Sequence, residues 1–155
     1  MDIRFEPYDH SFAKAFKELN EEWIKKYFRM EEADHKALDN PQEYIINKGG
    51  DIIIGILQEE VVGVCALIKM KDSPYDFELA KMAISPNVQG KGLGFKLGQR
   101  TIERAKELGA KNVYLESNTK LTPAINLYRK LGFVEVEGIS TPYDRCNIKM
   151  ELTLD

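Results

Sequence analysis

The chain has 155 residues, 43% apolar and 30% charged, with a formal net charge of −3. That suits one soluble domain with one core, and 1–155 is read as a single unit. The acidic balance argues against a general nucleic-acid binder, and no apolar run approaches the roughly 20 residues needed to cross a bilayer.

The first ten residues, MDIRFEPYDH, are acidic without an apolar stretch and do not read as a signal peptide. Cys65 and Cys146 both stand in apolar, strand-like runs and read as buried free thiols of a reducing cytoplasm. His10 and His35 are near neither cysteine, so no metal spacing exists and no metal is expected.

Ile3–Pro7 alternates and predicts a first strand. Asp9 or Ser11 can cap the helix after it, where Phe12, Ala15, Phe16, Leu19, Trp23 and Tyr27 recur at three- and four-residue steps. Ile24 and Phe28 widen that stripe, which packs on a sheet and whose aromatic end is a candidate pocket wall. Arg29–Leu38 is charged and partly helical in pattern, and Pro41–Asn47 reads as a short helix closed by Gly49-Gly50. Asp51–Gln58 and Val61–Lys69 form a hairpin pattern around Glu59-Glu60, an unfavoured turn pair. Phe77–Ile84 is the next strand. It leads through a glycine loop to a helix over Phe95–Leu108, with Phe95, Leu97, Ile102, Ala105 and Leu108 apolar. Asn112–Glu116 is a strand, Thr122-Pro123 opens a helix that Gly132 ends, and Phe133–Val136 and Cys146–Leu152 are the last strands. The order βααβββαβαββ predicts a mostly antiparallel sheet with at least one parallel pair.

The loop reads ISPNVQGKGLG, with Gly90, Lys91, Gly92 and Gly94 in five positions. Glycines opening a helix leave amide N–H groups unpaired and aligned with the helix dipole, a seat for phosphate. A tight ligand-free turn has the same glycines. The P-loop pattern fails because Gly92 follows Lys91, and the dinucleotide fingerprint fails because Phe95 and Leu97 fall where its last glycine belongs.

Gln89-x-x-Gly92-x-Gly94 resembles the pyrophosphate loop of the GNAT superfamily of N-acetyltransferases. Ser117–Phe133 resembles the family's C-terminal motif at Asn118, Ala124, Leu127, Tyr128, Lys130, Gly132 and Phe133, with a longer spacing after the asparagine. The resemblance implies an α+β fold, helices on both faces of a mixed sheet whose parallel pair splays open for coenzyme A. It implies transfer of the acetyl group of acetyl-CoA, as co-substrate, to a primary amine.

By the same resemblance, Gln89, Gly90, Lys91, Gly92, Leu93 and Gly94 hold the diphosphate and the backbone of Met82, Ala83 and Ile84 pairs with the pantetheine arm. Asn118 meets the pantetheine or a water, or is only a turn residue. Tyr128 is the candidate general acid beside the sulfur, and otherwise a core tyrosine. Glu78 is the candidate general base, an acceptor-binding group or a solvent-facing glutamate, and its use as a base requires burial to raise its pKa. Lys81, three residues on, belongs to the opposite face of a regular strand and reads as a salt-bridge or edge lysine. Trp23, Tyr27, Tyr143 and Arg145 are candidate acceptor contacts. Arg145 either clamps an acceptor carboxylate, favouring an amino acid or acidic metabolite, or forms a surface ion pair.

Because no cysteine falls in this set, direct attack in a ternary complex is expected. The expected partner is a small-molecule amine or amino acid, with no nucleic acid and no membrane, in the cytoplasm. Monomer and homodimer both stay open. A catalytically silent acyl-CoA sensor is the alternative. A dinucleotide enzyme, suggested by Glu116 after Gly94, lacks the glycine register.

Overall fold

In the computed structural model, which describes residues 2–155, seven strands form one sheet in the order β1-β2-β3-β4-β5-β7-β6. The strands are β1 (Arg4–Pro7), β2 (Asp51–Leu57), β3 (Glu60–Lys69), β4 (Phe77–Ile84), β5 (Asn112–Ser117), β6 (Val134–Val136) and β7 (Ile148–Thr153). The helices are α1 (Ala13–Tyr27), α2 (Glu32–Asp39), α3 (Leu93–Glu107) and α4 (Thr122–Leu131). All strand neighbours are antiparallel except β4 and β5. The expected α+β architecture with one parallel pair is therefore present.

Alternation along the strands sorts the core into two layers. Cys65, Leu67, Phe77, Leu79, Val113 and Leu115 pack under α3 and α4. Ile52, Ile54, Val64, Ala66 and Ala83 pack under α1 and α2. Full burial of an apolar side chain such as Phe16 or Leu97, each 0% exposed, stabilises by about 1.5–3 kcal/mol.

Several boundaries depart from the sequence pattern, each for a local reason. Asp9 caps a short 3-10 turn, His10–Phe12, rather than α1 itself. The side of α1 against the sheet is Phe16, Asn20 and Ile24, so Trp23 and Tyr27 lie beside the buried stripe. The segment after Pro41 is a single π-helical turn, Gln42–Ile46, that buries Ile45. Leu57 faces Glu60, so the β2–β3 turn is Gln58-Glu59, one position earlier than the apolar runs suggest. Both residues take positive φ, 50° and 66°, as a type I′ turn demands.

Helix α3 starts two residues earlier than its apolar pattern, at Leu93, because Gly92 at φ 74° turns the chain into it. Phe95 and Leu108, expected on its buried face, are instead half-buried and exposed. Cys146 lies in the turn before β7, half-buried, not in a strand.

The candidate acetyl-transfer cleft

β4 and β5 pair only at Phe77↔Val113 and Glu78↔Tyr114. Beyond Glu78 the two strands diverge, and the cleft between them is about 690 Å³, open solvent included. Glu78 to Met82 line it from β4, Glu116 to Asn118 from β5 and beyond, and Leu121 and Tyr128 from the α4 side. Asn20, Trp23, Ile24 and Phe28 line it from α1 and its end, and Tyr143, Arg145 and Cys146 from the loop before β7.

A bulge shapes the β4 wall. Val64 pairs with Ala83 and Ala66 with Ala80, so Lys81 and Met82 together oppose Cys65. Lys81 holds φ 52°, the left-handed region. The extra residue resets the alternation: Ala83 faces α1, while Met82 and Ile84 face α3 and α4. The expectation that Lys81 lies on the face opposite Glu78 is thereby corrected. Lys81 reaches into the α1 and α2 layer, donating to Asp34 Oδ1 at 2.8 Å and to the Tyr143 hydroxyl at 2.7 Å.

Glu78 projects into the cleft on that same side. Burial is the largest cause raising its carboxyl, the nearby Glu116 carboxylate adds to it, and Lys81 opposes both. The outcome is about 7. Glu116 accepts from the Tyr114 hydroxyl at 3.0 Å and the Thr141 hydroxyl at 2.6 Å. Tyr128 is half-buried, edge-on to Phe133 with ring centroids 6.3 Å apart. Burial, with the Cys65 thiol as the lesser cause, pushes its phenol well above the ordinary range, so it is protonated at neutral pH.

The other end of the gap meets the start of α3. Gly92 caps the helix with no side-chain bond, and the first helical bond runs from the Lys96 amide to the Gly92 carbonyl. The amides of Leu93, Gly94 and Phe95 therefore point out of the helix without capping partners. A Cβ on Gly90 or Gly92 would meet nothing within 4 Å, so the approach is open. Gln89 turns back, its Nε2 donating weakly to the Ile84 carbonyl at 3.4 Å, and Lys91 is exposed. A diphosphate fits this end by charge and by space.

Three candidates stand differently from expectation. Tyr27 does not line the cleft: it is 37% exposed and packs on Trp23, and Phe28 takes the lining position. The Arg145 guanidinium is already held in a two-pronged pair by Asp34, at 2.7 and 2.6 Å. Asn118 donates to the Arg145 carbonyl at 2.8 Å and accepts from the Lys120 amide at 2.9 Å, so its amide ties down the loop.

A cysteine does line the cleft. Cys146 is there, contrary to expectation, yet burial, with Glu116 as the next cause, raises its thiol, and its Sγ rests on the Ile148 carbonyl at 3.6 Å. That is the wrong setting for a thiolate nucleophile. Phe28 stands where the aromatic end of α1 is expected to wall a pocket, whereas sequence reasoning missed Asp34 and weighed Glu116 only as a ribose-binding acid. Asp34 left a trace as an acid three residues into a charged helix start. No group of three or more metal-ligating side chains occurs among the described residues.

A model of the Acetyltransferase (GNAT) family matches residues 12–133. The uncharacterized N-acetyltransferase YjgM of Escherichia coli (strain K12) is 38% identical over 59% of this chain and 56% of its own length. The putative [ribosomal protein bS18]-alanine N-acetyltransferase of Bacillus subtilis (strain 168) is 28% identical over 92% of this chain and 83% of its own. A GNAT-family acetyltransferase of Staphylococcus aureus Mu50 superposes with a TM-score of 0.86 at 22% identity, covering 99% of this chain and 100% of that one. The Salmonella typhimurium putative acetyltransferase yncA, solved with acetyl-CoA, gives 0.75 at 20% identity over 100% and 95%. The family match spans well over half of the sequence, so this chain belongs to the GNAT family of acetyltransferases and is an acyltransferase.

Proposed function

We propose that the chain uses acetyl-CoA as co-substrate to acetylate a primary amine by direct attack, with Glu78 as base and Tyr128 as acid. The observation that carries the reading is the divergence of β4 and β5 after two pairs, which leaves a half-buried carboxyl and a half-buried phenol on one cleft. Acetyl-CoA supplies an acetyl group activated as a thioester.

The backbone amides of Gln89–Gly94, with Lys91 beside them, hold its diphosphate. Met82, Ala83 and Ile84 offer a strand edge to the pantetheine arm, since β5 has left that edge unpaired. An amide in this stretch polarises the thioester oxygen. A carboxyl titrating near 7 is about half ionised at neutral pH, so Glu78 can take a proton from an ammonium group. Tyr128, held protonated, donates toward the leaving sulfur. Cys146 stays a thiol and takes no acyl group.

Trp23, Phe28 and Tyr143 wall the acceptor side, which favours a small amine with an apolar body. A second reading, an N-terminal amine of a protein, is favoured by the full-length similarity to the Bacillus subtilis relative, whose name gives an alanine acceptor.

The test is a panel of amines and amino-terminal peptides assayed by release of free thiol. Tyr128→Phe should lower kcat by 10²-fold or more, within the usual span for acid–base groups, while the Kd for acetyl-CoA stays within about threefold. Equal turnover by the variant removes the acid role. Tight acetyl-CoA binding with no thiol release from any amine would favour the silent sensor instead.

A further inference from the structure

Asp34 is fully buried, and every acceptor position of its carboxylate is used. Oδ1 accepts from Lys81 Nζ at 2.8 Å and Arg145 Nη2 at 2.6 Å. Oδ2 accepts from Arg145 Nη1 at 2.7 Å and the Glu31 amide at 2.9 Å. Four donors on a carboxylate saturate its lone pairs. Glu31 adds a second carboxylate to Arg145 Nη1 at 3.2 Å.

Lys81 and Arg145 are the cationic side chains that line the cleft. Planar, two-pronged contact with an arginine, helped by a lysine, is how a protein recognises a substrate carboxylate. Here the chain has filled that seat with its own residue. The other charged side chains lining the cleft, Glu78 and Glu116, are in no ion pair among the described residues, although Lys149 stands opposite Glu116 on β7. With Lys81 and Arg145 offset by Asp34 and Glu31, the cleft presents carboxylates to whatever enters. An incoming ammonium is attracted, and an incoming carboxylate finds its partners taken and like charges near.

Resting on the acetyltransferase reading above, we propose that Asp34 is a specificity-determining residue. It occupies the carboxylate seat between Lys81 and Arg145, so the acceptor is an amine with no free carboxylate beside it. Simple amines and peptide N-termini meet that condition, and free amino acids do not.

The experiment uses acceptor pairs that differ in that carboxylate: 1,4-diaminobutane and ornithine, tyramine and tyrosine, alaninamide and alanine. In each pair that turns over, the member without a carboxylate should have the higher kcat/KM by about tenfold or more, equivalent to 1.4 kcal/mol of discrimination. Equal rates, or preference for the free amino acid, overturn the assignment and leave the transferase reading intact. No thiol release from any member, with acetyl-CoA still bound, overturns the transferase reading and this inference with it.

Asp34→Ala opens the seat and should shrink the preference about tenfold, mainly through the KM of the carboxylate-bearing member. An unchanged ratio in a folded variant also overturns the proposal. Because the variant leaves Lys81 without its carboxylate partner and Arg145 with Glu31 alone, a second measurement accompanies it. Sodium acetate should raise the Tm of Asp34→Ala above that in equimolar sodium chloride, and should do so more than for the wild type, since a small carboxylate binds only an open seat. The absence of that difference counts against the seat.

Discussion

At the residue scale the proposed base is Glu78, and its position involves a trade. A carboxyl held near 7 in the folded chain and near 4.5 in the unfolded chain binds more protons when folded. Stability therefore falls as pH rises from about 4.5 to about 7, and the full penalty persists above that. Glu78→Gln removes the charge and keeps the shape. It should raise the unfolding free energy at pH 8 by about 1–3 kcal/mol, measured by urea titration, with little change at pH 4. The same variant should lose 10²-fold or more in kcat/KM, and with it the wild-type rise in rate through an apparent pKa of about 7. A wild-type profile flat from pH 6 to 8 would remove Glu78 from the base role. In the sequence the glutamate is a candidate base through the family resemblance of its position ahead of the glycine loop. Its burial and its neighbour Glu116 are not legible there, because β5 lies 34 or more positions away and meets β4 only in the folded sheet.

At the element scale, periodicity located the strands and helices, and backbone exceptions moved their ends. The β4 bulge is the clearest case. Nothing in FELAKMAI marks Lys81 as a residue at positive φ, since lysine has no preference for that region. The bulge aims the Lys81 ammonium at partners outside the strand, Asp34 and Tyr143. The β2–β3 turn is a simpler exception. Gln58 and Glu59 both carry left-handed backbone that Asn and Gly adopt at lower cost. The Glu59 pair with Arg4 is 85% and 48% exposed and contributes little. Gln58→Asn with Glu59→Gly should add about 1 kcal/mol, or roughly 2–4 °C in Tm by calorimetry, with kcat/KM unchanged. A lower Tm would mean that the Arg4 contact outweighs the turn strain.

At the scale of the whole molecule, Asp34 joins three parts of the chain that the sheet alone does not hold together: the start of α2, the β4 bulge and the loop before β7. Sequence could show Arg145 as a candidate clamp but not its partner, 111 positions away. Burial would raise the Asp34 carboxyl. Arg145 and Lys81 outweigh that and hold it at about 2, below its usual 3.8. The group's stabilisation, about 2 kcal/mol, is thus complete above pH 4 and lost as pH falls toward 2.

Removing one member of such a cluster differs from removing all of it. Asp34→Asn strands Lys81, 5% exposed, and leaves Arg145, 17% exposed, with Glu31 alone, and should cost about 3–5 kcal/mol in urea unfolding. Asp34→Leu combined with Lys81→Met and Arg145→Met leaves only the Glu31 carboxylate, 10% exposed, without its cation and should recover part of that loss. If the triple variant is as unstable as the single one, the cluster acts through the β4 bulge and the loop conformation it enforces rather than through charge balance. In that case the cleft should also lose its shape, and acetyl-CoA affinity would fall together with stability.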